Sequence, residues 1–204
     1  IINGTPTQLT FDSGSHGHPG INDSGEVVWS KYDYGTSRSQ IYSSQRGQLT
    51  NDSTDHYSPS INNRGDVVWQ QVDPVSYSGS IYGLINGVLT QITFDTAWHH
   101  QPTINDSGEV VWSQDNATGS LLYSSTRGQL GTSCPYGSRN EPDLNNCGDV
   151  VFTNMGSGSV IYRLGSSAPC GSEPEPNNSQ AEATPIVGGG SLSTGTLNSV
   201  TDAE

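Results

Sequence analysis

Lysine occurs once in this 204-residue chain, at Lys31, and only seven basic residues face twenty acidic ones. With a formal net charge of -13, nothing here neutralises a run of phosphates. Nucleic acid and anionic membrane surfaces are therefore excluded as partners. No stretch approaches the ~18 consecutive apolar residues of a membrane-spanning helix, so membrane insertion is not expected. Cysteine is scarce: Cys134, Cys147 and Cys170 lack C-x-x-C spacing, which argues against a structural zinc site and leaves room for one disulfide and one free thiol. Nucleophile-elbow, phosphate-loop and H-E-x-x-H motifs are missing. So is helical periodicity: only 30% of the residues are hydrophobic, and they never recur at the spacing of a helix face. The chain has no signal peptide and no initiator Met, beginning at Ile1-Ile2-Asn3-Gly4, so it is expected to be a processed or excised piece. Little lysine with much Ser, Thr, Asn and Gly suits a secreted protein, extracellular or periplasmic.

What is abundant is glycine, at 25 residues, and much of it belongs to a repeat. HPGINDSGEVVWS (18–30) returns as SPSINNRGDVVWQ (58–70), QPTINDSGEVVWS (101–113) and EPDLNNCGDVVFT (141–153). The anchors Ile21, Ile61, Ile104 and Leu144 are spaced by 40, 43 and 40 residues. Two further landmarks keep step: Ile41-Tyr42, Ile81-Tyr82, Leu122-Tyr123 and Ile161-Tyr162, then Gly47-Gln48-Leu49-Thr50, Gly87-Val88-Leu89-Thr90 and Gly128-Gln129-Leu130.

Each unit predicts four short strands. In the first copy these are a brief one at 19–21, one at 26–30 after an Asn-Asp-Ser-Gly turn, one at 40–43, and one at 48–51 after a second Gly turn. Val-Val-Trp breaks the alternation of a half-wet strand and demands burial on both faces. About 40 residues, four strands and two buried faces describe a β-propeller blade, with Trp29, Trp69, Trp112 and Phe152 as packing between blades. Four blades are expected over 1–168. The fourth copy lacks its own outer strand, and Gln8-Leu9-Thr10-Phe11 aligns with Gln91-Ile92-Thr93-Phe94. The N-terminal strand is therefore expected to close a ring of four antiparallel blades; the alternative is an arc of a larger propeller.

The phrase P-x-I-N-D-S-G-E-V-V-W, followed by I-Y and G-Q-L-T, resembles the TolB-like, PD40-type propeller repeat over residues 1–165, with Asn-Asp-Ser-Gly in place of the usual Ser-Pro-Asp-Gly. The resemblance implies a propeller, and it implies function only loosely, since such propellers bind, dock partners and occasionally catalyse. After a Pro/Glu/Ser linker at 169–180, residues 181–204 resemble the start of a bacterial pre-peptidase C-terminal domain, too short to bury a core by itself. An extended tail that packs on the propeller or assembles with a neighbour is expected. In this topology Cys147 and Cys170 lie at the same end of the last blade, and they are the predicted disulfide.

One chemical pattern stands upstream of the blade proline: Asp12-x3-His16, Asp52-x3-His56 and Asp95-x3-His99. Placed before each innermost strand, three imidazoles at one mouth of the channel would hold a divalent transition metal, with the Asp residues orienting them. The competing expectation is structural, each Asp and His fixing its own return loop. The fourth copy has Arg139 there, which suits an anion, and Trp98 beside His99-His100 is a carbohydrate or protein contact candidate. Trp98, His100 and Arg139 are thus the candidate ligand-binding residues. Asp23, Asp106 and their Asn equivalents read as turn formers. The leading functional expectation is a non-enzymatic secreted propeller that binds or scaffolds, as a subunit of a larger extracellular assembly with a protein or carbohydrate partner. The alternative, which the resemblance implies, is a metal-dependent polysaccharide-lyase-like enzyme built on the His ring.

Overall fold

The computed structural model describes residues 4–117, 119–131, 139–155 and 159–165. They form fifteen strands and no helix, and hence nothing long and apolar enough to cross a membrane as a helix. The first blade is β1 (Ser15–Ile21), β2 (Val27–Asp33), β3 (Arg38–Ser43) and β4 (Gly47–Gln48). The second is β5 (Asp55–Ile61), β6 (Val67–Val72), β7 (Gly79–Ile85) and β8 (Val88–Gln91). The third is β9 (His99–Ile104), β10 (Val110–Asn116), β11 (Gly119–Ser124) and β12 (Gly128–Leu130). The fourth holds β13 (Arg139–Leu144), β14 (Val150–Met155) and β15 (Ser159–Leu164). Every sheet is an antiparallel meander in chain order, and the inner strands pack in sequence, β1 on β5, β5 on β9 and β9 on β13. The all-β, four-blade propeller arrangement is as expected.

The turn that opens each second strand shows why the repeat is spelled as it is. Gly25, Gly65, Gly108 and Gly148 take φ between +79° and +87°, a region that side chains with a Cβ resist. The Asn of the phrase closes the turn with its side chain: Asn62 Oδ1 accepts from the backbone N–H of Arg64 and of Asp66 at 3.0 and 2.9 Å, and Asn22, Asn105 and Asn145 accept from Glu26, Glu109 and Asp149 likewise.

Each blade has two apolar faces, and they meet in only one way. The face carrying Val28 and Ile41 of the first blade packs on Ile61, Val67 and Trp69 of the second. Val68 and Ile81 pack on Ile104, Val110 and Trp112. Val111, Leu122 and Leu130 pack on Leu144, Val150 and Phe152. Burying side chains of this size contributes about 1.5–3 kcal/mol each, so these three seams are the core. The consecutive Val-Val-Trp residues are buried because they face alternate seams.

Two expectations need correction. The first strand is not confined to 19–21; it begins at Ser15, Asp55 and His99 in the first three blades, so the Asp-x3-His histidines lie within inner strands and not in loops. Ring closure by the N-terminal strand is not observed either. Gln8–Phe11 forms no ladder, and among the described residues β15 pairs only with β14. The fourth blade thus has three strands among the described residues, with no outer strand on β15. The propeller unit runs to Pro169, and the linker and the 181–204 segment lie outside the described residues. So do Cys134 and Cys170, and with Cys170 the predicted pairing; Cys147 itself is disulfide-bonded.

Candidate functional site

The three Asp-x3-His pairs are built alike. Asp12, Asp52 and Asp95 each accept the N–H two residues on, from Gly14, Thr54 and Ala97, at 2.8 Å in all three. This Asx-type turn aims the carboxylate at the histidine four residues later, with Nε2–Oδ1 separations of 3.3 Å for His16, 3.0 Å for His56 and 3.2 Å for His99. His56 and His99 are fully buried and stand edge-on to the Trp of their own second strand, at centroid distances of 6.0 Å to Trp69 and 6.3 Å to Trp112. His99 Nδ1 reaches the carbonyl of Gly79 in the preceding blade at 3.0 Å. The His56 and His99 rings therefore lie in two separate seams, each beside its own aromatic, whereas His16 is half-buried and lines the outward cleft of the first blade with Leu9 and Trp29. Among the described residues no three His, Cys, Asp or Glu side chains are grouped so as to hold a metal. The structure does not bring His16, His56 and His99 together.

Electrostatics follow the burial. Desolvation pushes the His56 imidazole below its ordinary value, against the hydrogen bond and charge of Asp52. Burial raises Asp52, but hydrogen bonds from Thr54 and His56 outweigh it and hold the carboxyl below the usual range. Asp12 is held low by the Gly14 N–H, with Lys31 and His16 adding to it.

Trp98 is half-buried and lies flat against Gly79. A Cβ at Gly79 would stand 3.1 Å from Trp98 Cδ2 and 2.8 Å from the His99 carbonyl, so this close approach requires glycine. The neighbouring His100 pairs with Asp115 at 3.1 Å, and the Trp98 carbonyl accepts from the Asp115 N–H at 2.8 Å. Arg139 opens β13, pairing in register with Asn154.

Two features escaped sequence reasoning. The first is a bulge in every inner strand. His18-Pro19, Ser58-Pro59, Gln101-Pro102 and Glu141-Pro142 each oppose a single residue, and that residue is always the aromatic: Trp29, Trp69, Trp112 or Phe152. The residue before each proline takes φ between +50° and +55°, an uncommon and strained conformation for a side chain with a Cβ. Propellers place such inner strands around their channel, and bulges re-aim side chains next to functional sites. His18 and Glu141 are exposed, and Ser58 and Gln101 half-buried. The backbone is the same four times and the side chain differs four times. The signal was the X-Pro dipeptide opposite a large aromatic, although X-Pro ordinarily favours extended backbone.

The second is a pair of ladders that link blade to blade. Asn22 Nδ2 donates to the Asn62 carbonyl, Asn62 to that of Asn105, and Asn105 to that of Asn145, at 3.1–3.2 Å. One residue on, the backbone N–H of Asp23, Asn63 and Asp106 donates to the side chain of Asn63, Asp106 and Asn146 in turn, at 2.7–2.9 Å. Asp and Asn alternate because each amide needs a carboxylate neighbour to accept its Nδ2–H: Asn63 donates to both Asp23 and Asp106, and Asn146 to Asp106. The turn formers are also the rungs.

The fold thus defines a class, a β-propeller built of antiparallel meander blades. Solved structures that share it include TolB from Acinetobacter baumannii (TM-score 0.60, 15% identity, 78% of this chain and 42% of that one) and a TolB-type protein of Agrobacterium tumefaciens (TM-score 0.58, 14% identity, 72% and 60%). The acylaminoacyl peptidase of Pyrococcus horikoshii also matches (TM-score 0.51, 15% identity, 74% and 26%). The chain thus spans roughly half the length of the TolB chains it matches. No protein-family model matches, and no curated protein sequence does. At these identities the likeness is one of fold.

Proposed function

We propose that this chain is a non-enzymatic binding module, secreted to the periplasm or the cell exterior, that presents its inner-strand bulges to a protein or carbohydrate partner. One observation carries the proposal: two of the three repeated histidines are consumed in the seams, whereas the positions that vary over an invariant backbone are the bulge residues. His56 and His99 are buried against Trp69 and Trp112, while His18, Ser58, Gln101 and Glu141 occupy one backbone position with four chemistries. A frame that repeats, with a rim that does not, is the expected division in a recognition scaffold. The TolB-type neighbours support a docking role at the level of fold alone.

The test is a glycan array and a peptide-display library probed with labelled protein, alongside the His18→Ala/Gln101→Ala/Glu141→Ala variant. Binding that vanishes in the variant without a change in thermal midpoint is the expected result. Chelator-sensitive cleavage of a polysaccharide by the wild-type protein would overturn it in favour of the metal enzyme.

A further inference from the structure

We propose that the end of the propeller where the inner strands begin is a docking face for a basic polypeptide segment, whose arginine or lysine side chains stack on exposed aromatic rings and pair with the aspartates beside them. This rests on the chain being a binding module and adds to it a face and a partner chemistry.

The meander gives each blade two unlike ends. The turns between first and second strands, and between third and fourth, lie at one end. The asparagine ladder joins the former turns across all four blades, so that end is common to the four. It is compensated in charge. Glu26, Asp66, Glu109 and Asp149 hold Arg46, Arg64, Arg127 and Arg163 at 2.6–3.0 Å, and Asn63 and Asn146 donate to Asp23 and Asp106. Its turns (22–25, 44–46, 62–65, 86–87, 105–108, 125–127 and 145–148) contain no aromatic, Leu, Ile, Val or Met residue.

The loops at the opposite end are different. Asp12 pairs with Lys31 and Asp55 with Arg38, both at 3.2 Å, and Arg139 opens β13 there. Asp52, Asp95 and Asp115 face histidines, and Asp33 and Asp73 accept loop N–H groups. None of these five pairs with a lysine or arginine among the described residues. Large apolar side chains stand out beside them: Tyr34 is 67% exposed, Val75 87%, Tyr77 77% and Phe94 79%. Val75, Tyr77 and Phe94 belong to the loops over the two interior blades.

The aspartates also fix these loops. Asp33 Oδ1 accepts from the Gly35 and Thr36 N–H at 2.7 and 3.3 Å, Asp73 Oδ1 from Val75 and Ser76 at 2.7 and 2.8 Å, and Asp95 Oδ1 from Ala97 at 2.8 Å. Rings on pre-ordered loops lose little freedom when a partner binds. The N–H groups of Ser76 and Val75 hold the Asp73 carboxyl below the usual range, which keeps it charged at neutral pH.

A ring beside a carboxylate suits a guanidinium or ammonium: the cation lies over the ring face while the carboxylate accepts its N–H groups. The first blade makes this arrangement internally, with Lys31 Nζ 5.2 Å from the Tyr42 centroid and 3.2 Å from Asp12 Oδ2. A neutral sugar would cover the carboxylates without a counter-charge, at a desolvation cost. A second copy, at a net charge of -13, is repelled. Residues 166–204 supply no cation, having Glu173, Glu175, Glu182, Asp202 and Glu204 and no lysine or arginine. The occupant is therefore a different chain that carries basic side chains.

Fluorescence anisotropy of a labelled octapeptide of alternating arginine and serine, titrated with the full chain at about 0.15 M salt, tests this. The peptide should bind, and its glutamate-serine counterpart should not. Tyr34→Ser/Tyr77→Ser/Phe94→Ser removes three exposed rings without altering charge. It should weaken binding at least about tenfold, from about 2–5-fold for each exposed cation–ring contact, at an unchanged thermal midpoint. Asp73→Asn keeps the loop acceptor, removes one charge from this face and should weaken binding about 2–5-fold; Asp143→Asn removes the same charge away from it and should change binding less. Failure of the arginine peptide to bind overturns the proposal. Equal effects of the two Asp substitutions, or indifference to the loss of the rings, reduce the attraction to net charge and overturn it too. Capture of a neutral glycan that the triple-serine variant loses, with no peptide binding, assigns the face to sugars and overturns it. Peptide binding lost in His18→Ala/Gln101→Ala/Glu141→Ala but kept in the triple-serine variant overturns this face alone and leaves the bulges as the site.

Discussion

Ile81 and Ile161 occupy the same place in the same repeat, yet one is sealed and the other is 71% exposed. Trp69 and Trp29 differ in the same way: the first is fully buried, the second half-buried. The interior blades and the end blades are thus written in nearly the same words and live in different environments. A blade's residue is apolar because of the face it occupies, but what it contributes depends on whether a neighbour covers that face. In a quasi-linear array, stability is mostly a sum over neighbour contacts, so equal substitutions at interior and end positions should separate cleanly.

The largest expected separation is Ile81→Ala against Ile161→Ala. The interior change should cost about 2–5 kcal/mol in urea titrations, and the end change about 0.5 kcal/mol or less under conditions where the chain is monomeric. Equal losses would show that the exposed face is covered within one chain. Next is Gly79→Ala, which drives a methyl against the His99 carbonyl and the Trp98 ring. A loss of about 1–3 kcal/mol is expected, and Gly17→Ala, where the nearest atom is the Ser30 Oγ at 3.8 Å, is the neutral control. Asn62→Ala should cost about 1–3 kcal/mol, because it removes a rung and a turn closure from a buried site; the exposed Asn145→Ala should cost less.

The smallest effect concerns pH. Burial lowers the His56 value in the folded state. The unfolded chain therefore binds the proton more readily. Stability from this group is full above the unfolded value near 6.5 and is lost as the pH falls below it. Asp52, also lowered, extends the loss to more acid conditions. His56→Gln should flatten the decline between neutral and mildly acid pH in thermal melts. A slope that survives the substitution would place the titration elsewhere.

Much of this was legible in the chain. Val-Val-Trp required two buried faces, Asn-x-x-Gly required a turn, and a period near 40 with four strands required blades. The Asp-x3-His pattern was visible too, but its meaning was not. A carboxylate and an imidazole four residues apart suit a metal mouth or a loop brace equally well, and the choice depends on where three strands far apart in sequence place their rings. The strained X-Pro positions were hidden because the dipeptide favours extended backbone in isolation. Only the large aromatic across the ladder forces two residues to share the space of one. Closure by Gln8–Phe11 was a fair inference from alignment, yet alignment says which strand a segment resembles and not which edge it meets.

The sequence alone determined the blade: strand period, turn chemistry and double-sided burial are local or nearly local, enforced by sterics and by the hydrophobic pattern within one repeat. The tertiary structure alone decided the fate of the faces. It put His56 and His99 in separate seams and His16 on the outward face of the first blade, turned Asn and Asp turn formers into rungs between blades, and left Ile21 and Ile161 exposed where their equivalents are buried. Those outcomes rest on contacts between different blades, 20 positions apart at His99 and Gly79 and 40 or more along the ladders, where the spatial arrangement of blades selects among partners that the chain specifies equally well.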